Sequence, residues 1–145
     1  MDTTTLHMMQ LGKKGYTCSQ ILVQMGLELR GEDNPALVRA MTGLAYGCGA
    51  GAGTCGALTG GCCLIALFAG KGSDEEQASD RILLMLTELS DWFSEQVGQQ
   101  YGGMECQAIV GDEGPSASAI RCGDIVVRTY GKVLEILAAN GIELV

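Results

Sequence analysis

The stretch Gly47-Cys48-Gly49-Ala50-Gly51-Ala52-Gly53-Thr54-Cys55-Gly56-Ala57-Leu58-Thr59-Gly60-Gly61-Cys62-Cys63 decides how the chain is read. It carries four of the seven cysteines, and no charged residue occurs between Arg39 and Lys71. The alternating glycines from Gly49 to Gly53 can adopt backbone conformations closed to other residues. Beyond Cys55 the chain is an apolar run of helical length. The pattern predicts a glycine-rich turn leading into a buried central helix, with Thr54 as its cap and Cys55 at its first position.

The totals around this stretch fit a single domain over residues 1–145. A compact chain of 145 residues buries roughly 68% of its unfolded surface and needs no disulfides to fold. A net charge of -8 argues against a nucleic-acid partner, because phosphate binding needs clustered Lys and Arg. The longest uncharged apolar run, Gly56 to Gly70, is broken by glycines and a threonine and falls short of the 18 or more residues, roughly, of a spanning helix, so no membrane span is expected. Met1-Asp2-Thr3-Thr4-Thr5 has neither the basic nor the apolar part of a signal peptide, and the default compartment is the cytoplasm.

Outward from the centre the periodicity is helical throughout. A weak pattern covers Thr5 to about Lys13 and holds the one histidine, His7, read as a surface residue. Thr17-Cys18-Ser19-Gln20 fits a capping box, which places Cys18 at the first position of a helix carrying Ile21, Leu22 and Met25. Asn34-Pro35 reads as cap and first residue of a helix that ends at Gly47. Ser73-Asp74-Glu75-Glu76 is a second capping box, opening a helix to about Val97 with Ile82, Leu83, Leu86, Leu89, Trp92 and Phe93 at 3- and 4-residue spacing. A short helix from Met104 to Val110 carries Cys106, and Gly111 to Pro115 is a loop. The last helix starts near Asp124 and stops at Asn140-Gly141. The expected fold is an all-α, compact single-domain bundle of about five or six helices.

Seven cysteines, an odd count with no sign of secretion, favour metal binding or redox chemistry over a static disulfide framework. The plainer alternative is that buried cysteines act as small hydrophobes. Gly51-Ala52-Gly53-Thr54-Cys55-Gly56 matches the dinucleotide pattern in letters only, since a helix and not a strand is expected before it, and no nucleotide is expected. The spacing C-x-x-C-H is lacking, so covalent haem is not expected either. A cysteine at a helix start faces unpaired N–H groups and the positive dipole end, which favour the thiolate. Cys18 and Cys55 fit that description, Cys106 opens a helix after a glycine pair, and Cys122 follows the cation Arg121.

Tyr16-Thr17-Cys18-Ser19-Gln20, the central Gly53-Thr54-Cys55-Gly56-Ala57-Leu58-Thr59-Gly60, Glu105-Cys106 and Arg121-Cys122 together resemble the C-GCAxxG-C-C family, whose members are described as putative redox-active proteins. The order here is Cys55-Gly56-Ala57, not the Gly-Cys-Ala of the family's label, so the match rests on the whole set of cysteines. The resemblance covers nearly the whole chain and carries the family's cysteines onto Cys18, Cys55, Cys106 and Cys122. It leaves Cys48, Cys62 and Cys63 outside the motif.

What the resemblance implies is an oxidoreductase or electron-transfer protein, with a redox partner protein or a small electron carrier. Two chemistries fit the four sulfurs. They can exchange thiols and disulfides as catalytic groups, or converge as ligands on an iron–sulfur cluster or a zinc ion, for which four thiolates is the natural count. A third reading is non-catalytic: a helical interaction module, itself a homo-oligomer, whose cysteines only pack.

Overall fold

The computed structural model describes residues 2–113 and 118–144. Among the described residues the chain is all-α, and its only β pairing is one isolated antiparallel bridge, Thr54 to Glu105. Seven helices form the framework: α1 (Thr3–Lys13), α2 (Cys18–Leu29), α3 (Pro35–Ala40), α4 (Gly56–Ala69), α5 (Ile82–Phe93), α6 (Cys106–Val110) and α7 (Ala119–Ala139). None is long and apolar enough to cross a membrane.

Helix α4 is the hub. Leu64 and Ile65 have no exposed surface, and Ala57, Leu58 and Ala69 are buried beside them. Full burial of a side chain of this size is worth about 1.5–3 kcal/mol, so this one helix anchors much of the core. It packs most extensively on α2, then on α5 and α7. Glycines allow the closeness. A Cβ at Gly60 would lie 2.8 Å from Ser19 Cα, and one at Gly61 2.9 Å from both Leu89 Cδ2 and Thr129 Cγ2. The buried Ser19 hydroxyl is satisfied by donating to Met41 O at 2.8 Å.

Local signals explain most starts and stops. The Thr17 N–H donates to Gln20 Oε1 at 3.0 Å, closing the expected capping box of α2. Asn34 Oδ1 accepts from the Leu37 N–H at 3.1 Å, with Pro35 as the first residue of α3. The weak pattern at the start of the chain does become a helix, capped by Asp2 Oδ1 on the Thr5 N–H at 2.7 Å. His7 sits on its surface, 2.9 Å from Glu28. The β-branched run Ile125-Val126-Val127 is helical, within α7.

Several boundaries differ from the sequence reading. Helix α3 does not continue to Gly47: Met41–Leu44 tightens into a 3₁₀ turn, and Tyr46, Gly47 and Cys48 then take positive φ angles of 56°, 63° and 60°. The crossing there leaves no room for a side chain, since a Cβ at Gly47 would be 2.5 Å from Gly53 O. Ser73 does not open α5. Glu76 Oε1 accepts from the Gly72 N–H at 2.7 Å, the Ser79 N–H donates to Ala69 O at 2.8 Å, and the helix begins only at Ile82. Its apolar face is Met85, Leu89 and Phe93, whereas Leu83 points outward. A π turn, Ser94–Gly98, then carries it on to Tyr101. Met104 and Glu105 precede α6 because their backbone pairs with the glycine-rich stretch. Helix α7 begins at Ala119, ahead of Asp124, so Cys122 lies inside it. Of the expected loop Gly111 to Pro115, Gly111–Glu113 forms a 3₁₀ turn, and residues 114 and 115 lie outside the described residues.

Candidate functional site

The glycine-rich stretch is pinned across the chain to the segment that opens α6. The Cys55 N–H donates to Met104 O at 2.8 Å, the Cys106 N–H to Gly53 O at 3.0 Å and the Gln107 N–H to Gly51 O at 2.8 Å. Side chains alternate across such a pairing. With Thr54 and Glu105 facing each other on one side, Cys55 and Cys106 share the other, as diagonal neighbours. The backbone thus brings together two cysteines 51 positions apart (106 − 55).

Thr54 therefore does not cap α4. Cys55 itself is the N-cap residue, extended with φ -52° and ψ 133°, and the helix starts at Gly56. Opposite it, Cys18 is the first residue of α2. A Cβ at Gly56 would come within 2.6 Å of Cys18 Sγ and 3.2 Å of Leu44 O. The glycine after Cys55 is what admits the Cys18 sulfur to the start of α4. Gly60, one turn on, admits the backbone of α2 at Ser19.

Cys18, Cys55 and Cys106, from the starts of α2, α4 and α6, and Cys122, the fourth residue of α7, all line one cavity of about 720 Å³. Its other walls include Met8, Ile21, Ile109, Ile125 and Val126. Cys55 and Cys106 are buried, Cys18 and Cys122 half-buried. The remaining cysteines stand apart. Cys48 is exposed on the left-handed turn, Cys62 packs against the main core, and Cys63 packs with Val23, Leu27 and Met41 in a second, smaller cluster.

Burial overturns the expectation that these cysteines favour the thiolate. It pushes Cys18 up to about 12, with further upward pressure from the neighbouring sulfurs of Cys55, Cys122 and Cys106. Burial likewise takes Cys55 to about 11, although the backbone N–H groups of Ala57 and Leu58 pull the other way. Cys106 is raised by burial. Cys122 is raised by burial and by Cys106, with Arg121 only partly opposing them. Arg121 is held in place as it does so: its Nη1 donates to Ile109 O at 2.6 Å, and its guanidinium lies 5.6 Å from the centre of the Tyr101 ring. The helix starts act as expected, but loss of water outweighs them.

The four sulfurs share a cavity without forming a ready ligand shell. Among the described residues no group of three or more His, Cys, Asp or Glu side chains is placed to hold a metal ion.

Sequence reasoning singled out the four cysteines that line this cavity and missed the contacts that bring them to it. The bridge between Thr54 and Glu105 has no local signal. The Gly56 and Gly60 spacing is itself a signal, since residues four apart share a helix face. Ile120, Met9 and Tyr46 are exposed apolar residues that also line the cavity, and no sequence pattern marks them as its neighbours.

No curated protein and no solved structure matches the chain at a significant level. A family model described as "Putative redox-active protein (C_GCAxxG_C_C)" matches residues 16–136. That span takes in all four cavity cysteines and all but the last three residues of the helices that carry them, and the chain belongs to this family.

Proposed function

We propose that the chain is a dithiol/disulfide redox protein that works through Cys18, Cys55, Cys106 and Cys122. The observation that carries this reading is that four cysteines from four separate helices line one cavity. Burial disfavours a thiolate there but not a disulfide, which is uncharged and apolar. Such a site favours paired states, either two thiols or one S–S bond.

The reaction is thiol–disulfide exchange. One cavity thiol gives up its proton and attacks a sulfur of a bound disulfide, releasing the first substrate thiol and forming a mixed disulfide. A second cavity thiolate attacks the protein sulfur of that bond, releasing the second substrate thiol and closing an S–S bond within the protein. Two electrons and two protons pass from protein to substrate, and the reverse sequence reduces the protein. Cys122 is the entry thiol in this reading, because it is half-buried and adjacent to Arg121. Cys18 and Cys55, the deepest in their resistance to ionising, are resolving groups. The electron-transfer reading through a cluster has less support, given the ligand geometry.

The test is a thiol count on the unfolded protein before and after diamide treatment, with mass-spectrometric mapping of the linkages. Reversible loss of thiols in pairs drawn from the four cavity cysteines, abolished by Cys55→Ser or Cys122→Ser where that residue is a partner, is the expected result. Iron with acid-labile sulfide in anaerobically purified protein would replace this reading with a cluster. Metal-free protein whose cavity thiols stay reduced would leave the cysteines as packing groups.

A further inference from the structure

The cavity says something about its substrate that the cysteines alone do not. At about 720 Å³ it has the size of a pocket for a whole small molecule, not for two sulfur atoms. Its walls are hydrocarbon on three sides: Met8 from α1, Ile21 from α2, and Ile125 and Val126 from α7. The apolar lining continues to the outside, where Met9 is 42% and Ile120 92% exposed. Ile120 thus offers apolar surface at the cavity's edge.

The charges do not favour a polar guest. Lys13 and Asp124 are the lining groups with full charge, both are exposed, and their signs oppose; Asp124 also faces Arg128 at 3.5 Å. A thiol peptide with several ionised groups would set most of them against hydrocarbon, since among the described residues only Lys13 and Asp124 are charged lining groups. We infer that the cavity binds the apolar body of its substrate, and that the substrate is a small dithiol or disulfide carried on a hydrocarbon chain. This rests on the exchange reading above. The step is that exchange run in reverse: substrate dithiol and protein disulfide become substrate disulfide and protein dithiol, two electrons and two protons passing to the protein.

The experiment uses the full chain oxidised with diamide, reduced in turn by vicinal alkane dithiols from propane to octane, whose thiol chemistry is alike. Protein thiols are trapped by alkylation and counted against time. Each methylene that enters the cavity should raise the second-order rate constant about three- to fourfold until the cavity is filled. Glutathione should be slower than any of the dithiols. Ile120→Gln should lower the octane dithiol rate about threefold more than the propane dithiol rate.

Rates independent of chain length, or equal response of both dithiols to Ile120→Gln, would overturn the substrate class. Dithiothreitol separates the two claims. If it reduces the protein while chain length has no effect, only the substrate class falls. If diamide forms no disulfide for it to reduce, the exchange reading falls as well.

Discussion

Cys55 and Cys62 lie two turns apart on the same stretch of chain, and they end in different worlds. Cys55 caps the start of α4, is bound through its backbone to Met104, and opens onto the cavity. Cys62 sits within the helix, half-buried and packed against the core. Both are pushed up to about 11, chiefly by burial. Ionisation therefore does not separate the redox candidate from the packing residue. What separates them is company: Cys55 shares its cavity with three other cysteines from three other helices, whereas the sulfur next to Cys62 belongs to its own neighbour, Cys63.

The largest expected effect comes from closing the gap that makes the Cys55 end special. Gly60→Ala places a Cβ 2.8 Å from Ser19 Cα, and a backbone atom cannot swing aside. Overpacking of this kind costs about 1–3 kcal/mol. Alanine normally gains about 0.8–1 kcal/mol over glycine in a helix interior, so the sign of the change is the test. Gly131→Ala, on the exposed side of α7 with nothing within 4 Å, should stabilise by about 0.5–1 kcal/mol. Urea unfolding of the two variants should move the midpoint in opposite directions. A stabilising Gly60→Ala would mean that α2 and α4 do not meet as closely as described.

Much of this is legible in the sequence because it is local chemistry. The Thr17-Gln20 capping box, the Asn34-Pro35 start and the apolar spacing of Met85, Leu89 and Phe93 act within one or two turns of chain, and each can be read from neighbours. The four candidate cysteines are legible for the same reason, since three of them sit at helix starts that small or capping residues announce. Ser73 fails as a start because Glu76 turns to the Gly72 N–H and Ser79 to the end of α4. Those partners are no less good, and nothing local ranks them. The expectation of easy ionisation fails for a different reason. Helix ends are visible in sequence, whereas burial is the sum of contacts from every other element.

A second expected effect is on stability against pH, and its sign comes from the same burial. The folded values of Cys18, about 12, and Cys55, about 11, lie above the ordinary thiol value of 9.0. Folding therefore favours the protonated thiols. Their contribution is fully present below about pH 9, and it is lost as pH rises through 9 toward the folded values, because the unfolded chain releases its protons first. Within that window each such thiol contributes a slope of up to about 1.4 kcal/mol per pH unit. Reduced protein should lose stability between about pH 9 and 11, and Cys55→Ala should flatten the loss by up to one such slope. Disulfide formation should flatten it too, but only for cysteines that pair. Cys62→Ala flattening the reduced protein equally, yet leaving the effect of oxidation untouched, would sharpen the contrast between the two ends of α4. Oxidation-dependent flattening that required Cys62 would break it.

The smallest expected effect is at Cys63, which packs against Val23, Leu27 and Met41 but remains half-buried. Alanine there removes one sulfur from a small cluster. The partly exposed site can relax or admit solvent, so the cost should stay near or below about 1 kcal/mol, at the low end of large-to-small changes. The diamide-sensitive thiol pairs should be unaffected, because Cys63 reaches no wall of the cavity that holds the other four. Unfolding by urea and a thiol count on the same sample check both halves. A normal midpoint with a missing disulfide would put Cys63 into the redox set. Stability lowered by several kcal/mol with disulfides intact would instead make the second cluster, and not the glycine-lined contact of α2 with α4, the place where these helices are held together.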